Sequence, residues 1–226
     1  MFEPLTHAEL EALRALNTPT VANAIERFEK RPRHRGFTGP EVRCVFPEMP
    51  PIVGYAATAM ILAEQPAVGT RIPSRHDYWD AILSVPAPRI AVIQDLDQPL
   101  AIGSFWGEVN SNIHRALGCV GTITNGGVRD LDEVRALGFQ MFASAVIVSH
   151  AYVHLVDFGT PVKVGGLVVQ PGDLIHADKH GAIVIPHEIA REVPAAAAEV
   201  ERMERRIIHY CQSPDFTAAG LKELTK

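Results

Sequence analysis

Between positions 89 and 148, short apolar segments alternate with short amphipathic ones, and this alternation limits the chain to very few topologies. RIAVIQD (89–95) is apolar at successive positions, which suits a strand covered on both faces. AIGSF (101–105), CVGTIT (119–124) and QMFASAVIV (140–148) read as further strands. EVNSNIHRAL (108–117) and LDEVRAL (131–137) read as helices closed by Gly118 and Gly138. Strands separated by single helices re-enter a sheet in the same direction, so the expectation is a parallel βαβαβ core. Upstream, 50–63 is a candidate buried strand. HDYWDAILSV (76–85) is a candidate helix with Trp79, Ile82 and Leu83 on its apolar side.

The flanks differ in character. Residues 7–16 carry leucine at 10, 13 and 16, a helical period, and NTPTVANAIERFEK follows as a second helix with Thr18 as cap and Pro19 in its first turn. PVKVGGLVVQPGDLIHADKHGAIVIP (161–186) is rich in valine, isoleucine, glycine and proline at short spacing and reads as antiparallel β structure. The remainder returns to helix, with Pro194 forcing a break or kink. The expected fold is therefore α/β and single-domain: N-terminal helices over 1–30, an α/β core over 50–186 and a C-terminal helical region over 187–226.

Charge and composition exclude several classes. With 21 basic and 26 acidic residues the net charge is −5, which argues against a nucleic-acid coat. The basic run KRPRHR (30–35) reads as a solvated loop. No apolar stretch approaches the ~18–20 residues that span a bilayer, and the N-terminus lacks the pattern of a secretory signal. Three scattered cysteines with no CxxC pair fit a reducing compartment, so a cytoplasmic location is expected.

Two strand-to-helix turns, FWGE (105–108) and TNGGVRD (124–130), must share the carboxyl edge of a parallel sheet, where open α/β folds bind ligands. They bring Glu108, Arg129 and Asp130 to one place, because neighbouring strands lie only ~4.8 Å apart. Gly107, Gly126 and Gly127 keep the backbone open, and the helix starts add amide donors for an anion. Two carboxylates beside a guanidinium suit magnesium or manganese together with a carboxylate or enolate substrate. The competing structural reading makes Asp130 and Glu133 a capping box, with Glu108 facing a helix dipole and Arg129 as a brace. His150 and His154, and His176 and His180, stand four apart, but their strand and loop surroundings argue against a histidine metal site. Cys119, Trp79 and Trp106 read as core, although Trp106 adjoins the Gly107 turn.

GEVNSNIHRALGCVGTITNGGVRDLDEV resembles the signature of the family that joins regulator of ribonuclease activity A to the class II 4-hydroxy-4-methyl-2-oxoglutarate aldolases. The aldolase branch has an acidic residue, twenty intervening positions and Arg-Asp, and Glu108, Arg129 and Asp130 match it. The regulator branch has glycine at the position of Glu108. NTPTVANAIERF, PIVGYAATAMI and PGDLIHADKHGAIVIP are similar more weakly. Asn125 and Asn110 depart from the pattern, which commonly has aspartate and leucine there.

The resemblance implies a swivelling β/β/α fold and trimers or hexamers with sites at subunit interfaces. It also implies a magnesium-dependent aldolase that releases pyruvate from a 4-hydroxy-2-oxo acid and decarboxylates oxaloacetate. By the same resemblance, Asp130 ligates the metal, Glu108 holds a metal-bound water, Arg129 binds the pyruvyl oxygens, and the amides of Val109 and Asn110, beside Gly107, grip the carboxylate. A further acidic side chain comes from a neighbouring subunit, with Glu199, Glu201 and Glu204 as candidates. None of the three matching residues Glu108, Arg129 and Asp130 is a histidine, so proton removal falls to a metal-associated water. Arg71, Arg75 and His76 either meet the distal end of the substrate or decorate a surface loop. The alternative function is a non-catalytic regulator that binds a ribonuclease.

Overall fold

The computed structural model describes residues 3–68 and 73–225. Arg71 lies outside them. The chain opens with α1 (His7–Arg14) and α2 (Thr18–Glu26), then β1 (Arg43–Cys44), β2 (Ile52–Leu62), α3 (Arg75–Ser84), β3 (Arg89–Asp95), α4 (Glu108–Ala116), β4 (Cys119–Thr124), β5 (Gly127–Val128), α5 (Leu131–Leu137), β6 (Gln140–Ala143) and β7 (Ala145–Val146). It continues through β8 (His154–Phe158), β9 (Val162–Val164), β10 (Leu167–Val169), β11 (Leu174–Asp178) and β12 (Gly181–Ile185) to α6 (Val193–Cys211) and α7 (Ala218–Leu224).

Strands β2, β3, β4 and β6 pair in parallel, in chain order, with a helix in each crossover. Antiparallel β1 borders β6, and on the other side β2 meets both β11 and β8. The parallel core, the late antiparallel segment and the C-terminal helix are thus all present. In β3, Ile90, Ala91, Val92 and Ile93 are fully buried, so both faces are covered as the uninterrupted apolar run requires. Ala91 and Ile93 pack towards Ile82, Trp106 and Val134 of the helical layer. Ile90 and Val92 face the β9–β10 hairpin through Val162, Val164 and Leu167. A third cluster joins Leu10, Leu13, Val21 and Ile25 of α1 and α2 to Ile183, Ile185, Val193 and Ala197.

Four local expectations are corrected. Residues 101–105 form a loop: Ala101 takes positive φ, and its N–H donates to the Asp95 carboxylate, so the apolar Ile102 and Phe105 belong to a bent connection. The strand expected over 140–148 breaks at Ser144, whose hydroxyl bonds the carbonyls of Asn125 and Gly126; β7 then pairs with β5. Asn17, not Thr18, caps α2 by accepting from the Thr20 N–H, while the Thr18 N–H donates to Asp178. Pro194 lies in the first turn of α6, where its missing N–H is harmless, so it starts the helix and does not kink it.

Beneath α4, His114 is buried against Trp106, Phe105 and Tyr78. The Asn110 carbonyl can only accept, so the 2.7 Å contact places the proton on His114 Nδ1, and Nε2 accepts from the Tyr78 hydroxyl at 3.0 Å. Burial pushes the His114 pKa down to about 4, and burial also lowers that of His176. An unfolded histidine binds its proton near pH 6.5, so between 6.5 and 4 the unfolded chain takes up a proton that the native site refuses. Stability is therefore complete above pH 6.5 and is lost on acidification, at roughly 1.4 kcal/mol per pH unit for His114. The thermal midpoint should fall between pH 7 and 4.5, and His114→Gln should flatten that slope; an equal slope in the variant would show that His114 does not carry it.

Candidate active site

Pairing of β3 with β4, with Val92 opposite Ile123 and Ile93 opposite Thr124, sets two crossover loops side by side at the carboxyl edge. The first loop runs over 96–107. Asp95 accepts from the N–H groups of Asp97 and Ala101, and Asp97 accepts from those of Ala63 and Glu64. Both carboxylates are buried, and burial raises the pKa of Asp95. The second loop, 125–130, is clamped to the first strand by Asn125, which accepts the Asp95 N–H at 2.8 Å and donates to the Asp95 carbonyl at 2.9 Å. Aspartate has no side-chain N–H for the second bond, so the departure at this position completes the clamp.

Asp130 stands before α5 in the left-handed conformation (φ 56°, ψ 49°), and its side chain makes no capping bond to its own helix. The expected capping box with Glu133 is therefore absent. Its Oδ2 instead accepts the N–H of Glu108 at 2.9 Å and lies 3.8 Å from Arg129 Nε. Left-handed backbone costs a residue with a Cβ about 1 kcal/mol, least for asparagine and aspartate. Here that conformation turns the carboxylate across to the start of α4. Arg129 is held through its N–H to the Trp106 carbonyl (3.1 Å), and its Nη1 donates to the Val148 carbonyl at 3.4 Å. Trp106 itself is buried behind the turn.

A cleft of about 520 Å³ opens over this pair. Gly107, Val109, Asn110, Arg129 and Asp130 line it, together with Arg75, His150, Tyr152 and His154. Arg75 comes from α3, His150 and Tyr152 from the connection after β7, and His154 from the start of β8. The sequence offers Arg75 as a candidate for the distal end of the substrate, whereas it presents His150 and His154 only as a metal pair, against which their strand and loop surroundings argue. Val109 and Asn110 occupy the first turn of α4, whose amides have no carbonyl one turn back to bond. Asn110 donates its side-chain N–H to the Phe105 carbonyl, a bond that leucine could not make. Glu108 begins α4 with an exposed side chain next to the Asp130 contact.

Among the described residues no three His, Cys, Asp or Glu side chains cluster closely enough to hold a metal. Asp130 and Glu108 offer hard oxygen donors at an open position, a set that suits a divalent cation keeping several waters and not a closed zinc centre. His176 is tied to Thr18 and the Leu16 carbonyl, and His180 to Asp178. Burial pushes the Cys119 thiol up to about 12, so it is a core residue.

Fold and cleft together define an α/β protein with an open cleft at the carboxyl ends of its parallel strands. Residues 18–184 match the RraA-like family, described as Aldolase/RraA, and the chain belongs to that family. Among curated relatives, protein DlpA of Legionella pneumophila is 27% identical over 69% of this chain and 25% of its own length. A Halalkalibacterium halodurans protein provisionally named 4-hydroxy-4-methyl-2-oxoglutarate aldolase is 30% identical over 41% of this chain and 47% of its own. The chain thus spans half or less of the length of these relatives. The crystal structure of Streptomyces coelicolor RraAS2, an unusual member of the RNase ES inhibitor RraA family, superposes with TM-score 0.70 at 22% identity, over 91% of this chain and 98% of that one. The likeness establishes the fold. No helix among the described residues is long and apolar enough to cross a membrane.

A Cβ added at Gly107 would lie 2.5 Å from Asp130 Oδ2 and 3.3 Å from Arg129 Nε. The backbone there is extended (φ −162°), so alanine is tolerated conformationally and the carboxylate must move. Gly107→Ala should leave the unfolding midpoint nearly unchanged, with a stability change under ~1 kcal/mol, while weakening any ligand that uses Asp130. Thermal unfolding alongside calorimetric titration with magnesium and pyruvate checks this; a fully retained heat of binding would contradict it.

Proposed function

We propose that this chain is a divalent-metal-dependent pyruvate aldolase that cleaves a 4-hydroxy-2-oxo acid resembling 4-hydroxy-4-methyl-2-oxoglutarate, with oxaloacetate decarboxylation as a side activity. The observation that carries the reading is the left-handed Asp130, whose carboxylate is turned from its own helix towards Glu108 and Arg129. A cap of its own helix α5 needs no such conformation.

Asp130 and Glu108 would hold the cation, magnesium or manganese, which when bound supplies Lewis acidity at the 2-oxo group. The guanidinium of Arg129 grips the pyruvyl oxygens with its planar fork and stabilises the negative charge that develops as the carbon–carbon bond breaks. The unpaired amides of Val109 and Asn110, at the positive end of α4, receive the substrate carboxylate. The family's aldolase name for one relative and the carboxylate at position 108 both favour this reading over a non-catalytic ribonuclease regulator.

The site is completed between copies of the chain in a trimer or hexamer. From 198 to 211, α6 is largely exposed, with Met203 and Ile208 among the uncovered apolar residues. Of the three acidic candidates there, Glu199 pairs with Arg27 at 2.7 Å and Glu204 accepts from Asn23 at 3.3 Å, which leaves Glu201 to reach a neighbour. Light scattering should give a mass three or six times that of the chain, and a monomer at micromolar concentration would refute the assembly.

Pyruvate release from 4-hydroxy-4-methyl-2-oxoglutarate and from oxaloacetate should vanish on chelation and return with magnesium or manganese. Undiminished turnover without metal, or none with it, would sink the proposal. Arg129→Lys keeps the charge but loses the fork, and the turnover number should drop at least ~100-fold, about 2.7 kcal/mol of transition-state stabilisation, with a smaller change in apparent affinity. Were Arg129 merely a brace, the melting temperature would move more than the rate.

A further inference from the structure

Aldol cleavage needs a group that takes a proton from the 4-hydroxyl, and the loop after β7 brings one into the cleft. His150 lines the same cleft as Arg129 and Asp130. Its Nδ1 lies 2.7 Å from the Ala151 carbonyl; a carbonyl only accepts, so Nδ1 carries a hydrogen, and in the neutral imidazole Nε2 is the acceptor. Nothing among the described residues bonds that Nε2.

The loop is built to hold this position. Ala151 adopts φ +43°, a left-handed conformation that costs an alanine ~1–2 kcal/mol. The strain is held by three backbone bonds, two to neighbouring segments and one within the loop. Ser104 N–H donates to the Ser149 carbonyl at 2.9 Å, Tyr152 N–H to that of Ala63 at 3.1 Å, and Val153 N–H to that of His150 at 3.0 Å. Gly103 lets the loop approach, since a Cβ there would lie 2.5 Å from the His150 carbonyl oxygen. Arg129 donates to Val148, two residues before His150, which ties the loop to the substrate-binding arginine. His154 shares the cleft but belongs to β8, pairs with Leu62, and also borders a second cavity towards Glu64 and Asp97. His150 is the better placed of the two.

We propose that His150 is the acid–base residue of the cleavage. Its Nε2 accepts the proton of the 4-hydroxyl as the C3–C4 bond breaks. C4 and its oxygen become the carbonyl of the departing product, and the bonding pair moves to C3 and the 2-oxo oxygen as the enolate of pyruvate. The imidazolium then returns the proton to C3, giving the methyl group of pyruvate, so no co-reactant is required. This assignment rests on the aldolase reading above and replaces the water-borne base expected from the motif alone.

His150→Asn is the informative variant, because the asparagine amide N–H can still donate to the Ala151 carbonyl while Nε2 is lost. Decarboxylation of oxaloacetate reaches the same enolate without removing a hydroxyl proton. With magnesium present, the ratio of 4-hydroxy-4-methyl-2-oxoglutarate cleavage to oxaloacetate decarboxylation should fall at least ~100-fold in the variant, the lower end of what general acid–base catalysis supplies. A parallel fall in both activities would show a merely positional role, and two activities equal to those of the wild type would show none; either overturns the assignment while leaving the aldolase reading intact. A wild-type protein inactive on both substrates removes the reading and this inference together.

Discussion

Parallel pairing of β3 with β4 is the constraint on which the rest depends. Parallel neighbours cannot be joined by a tight turn, so each needs a crossover, and all the crossovers leave from the same edge. The register then decides which residues of the two loops meet. The Asn125 side chain secures that register at the point of departure with two bonds to the Asp95 backbone. With the strand ends held, the buried carboxylates of Asp95 and Asp97 help to fold the 96–107 loop back, and Arg129 and Asp130 arrive against the start of α4.

The parts legible in sequence are those whose signal is local. The run 90–93 is apolar at every position because both faces of β3 are covered, and α4 and α5 show helical period with glycine just beyond. That the start of α4 meets Arg129 and Asp130, with the Glu108 N–H on the Asp130 carboxylate, could be anticipated because it follows from strand adjacency. The loop at 101–105 could not: its apolar residues imitate a strand, and what bends it is a bond from Ala101 to a carboxylate six positions earlier. Likewise, Asp130 followed by Glu133 has the letters of a capping box, and no periodicity encodes the sign of φ. His150 enters the cleft through tertiary bonds made by Ser149 and Tyr152, so its spacing from His154 carried no information about where it would lie.

Stability and chemistry divide the charged groups. Asp95, Asp97 and Asp178 spend their oxygens on backbone N–H groups, and the buried His114 and His176 stay neutral within hydrogen-bond chains. The groups at the cleft are less committed. Arg129 and Asp130 are each 35% exposed, and their mutual contact at 3.8 Å is looser than a tight ion pair. Structural carboxylates are thus satisfied from within, and those at the carboxyl edge keep capacity for a ligand.

The left-handed backbone at 130 also restricts how this position can drift. Asparagine and glycine enter that region of φ and ψ most cheaply, whereas a β-branched or bulky residue there is strained whatever its chemistry. Selection for a folded chain alone would therefore filter the substitutions before selection for a carboxylate acts. A descendant that lost its need for the acid would carry asparagine or glycine at this point, one atom or one side chain away from the ancestral site, with the loop around it unaltered.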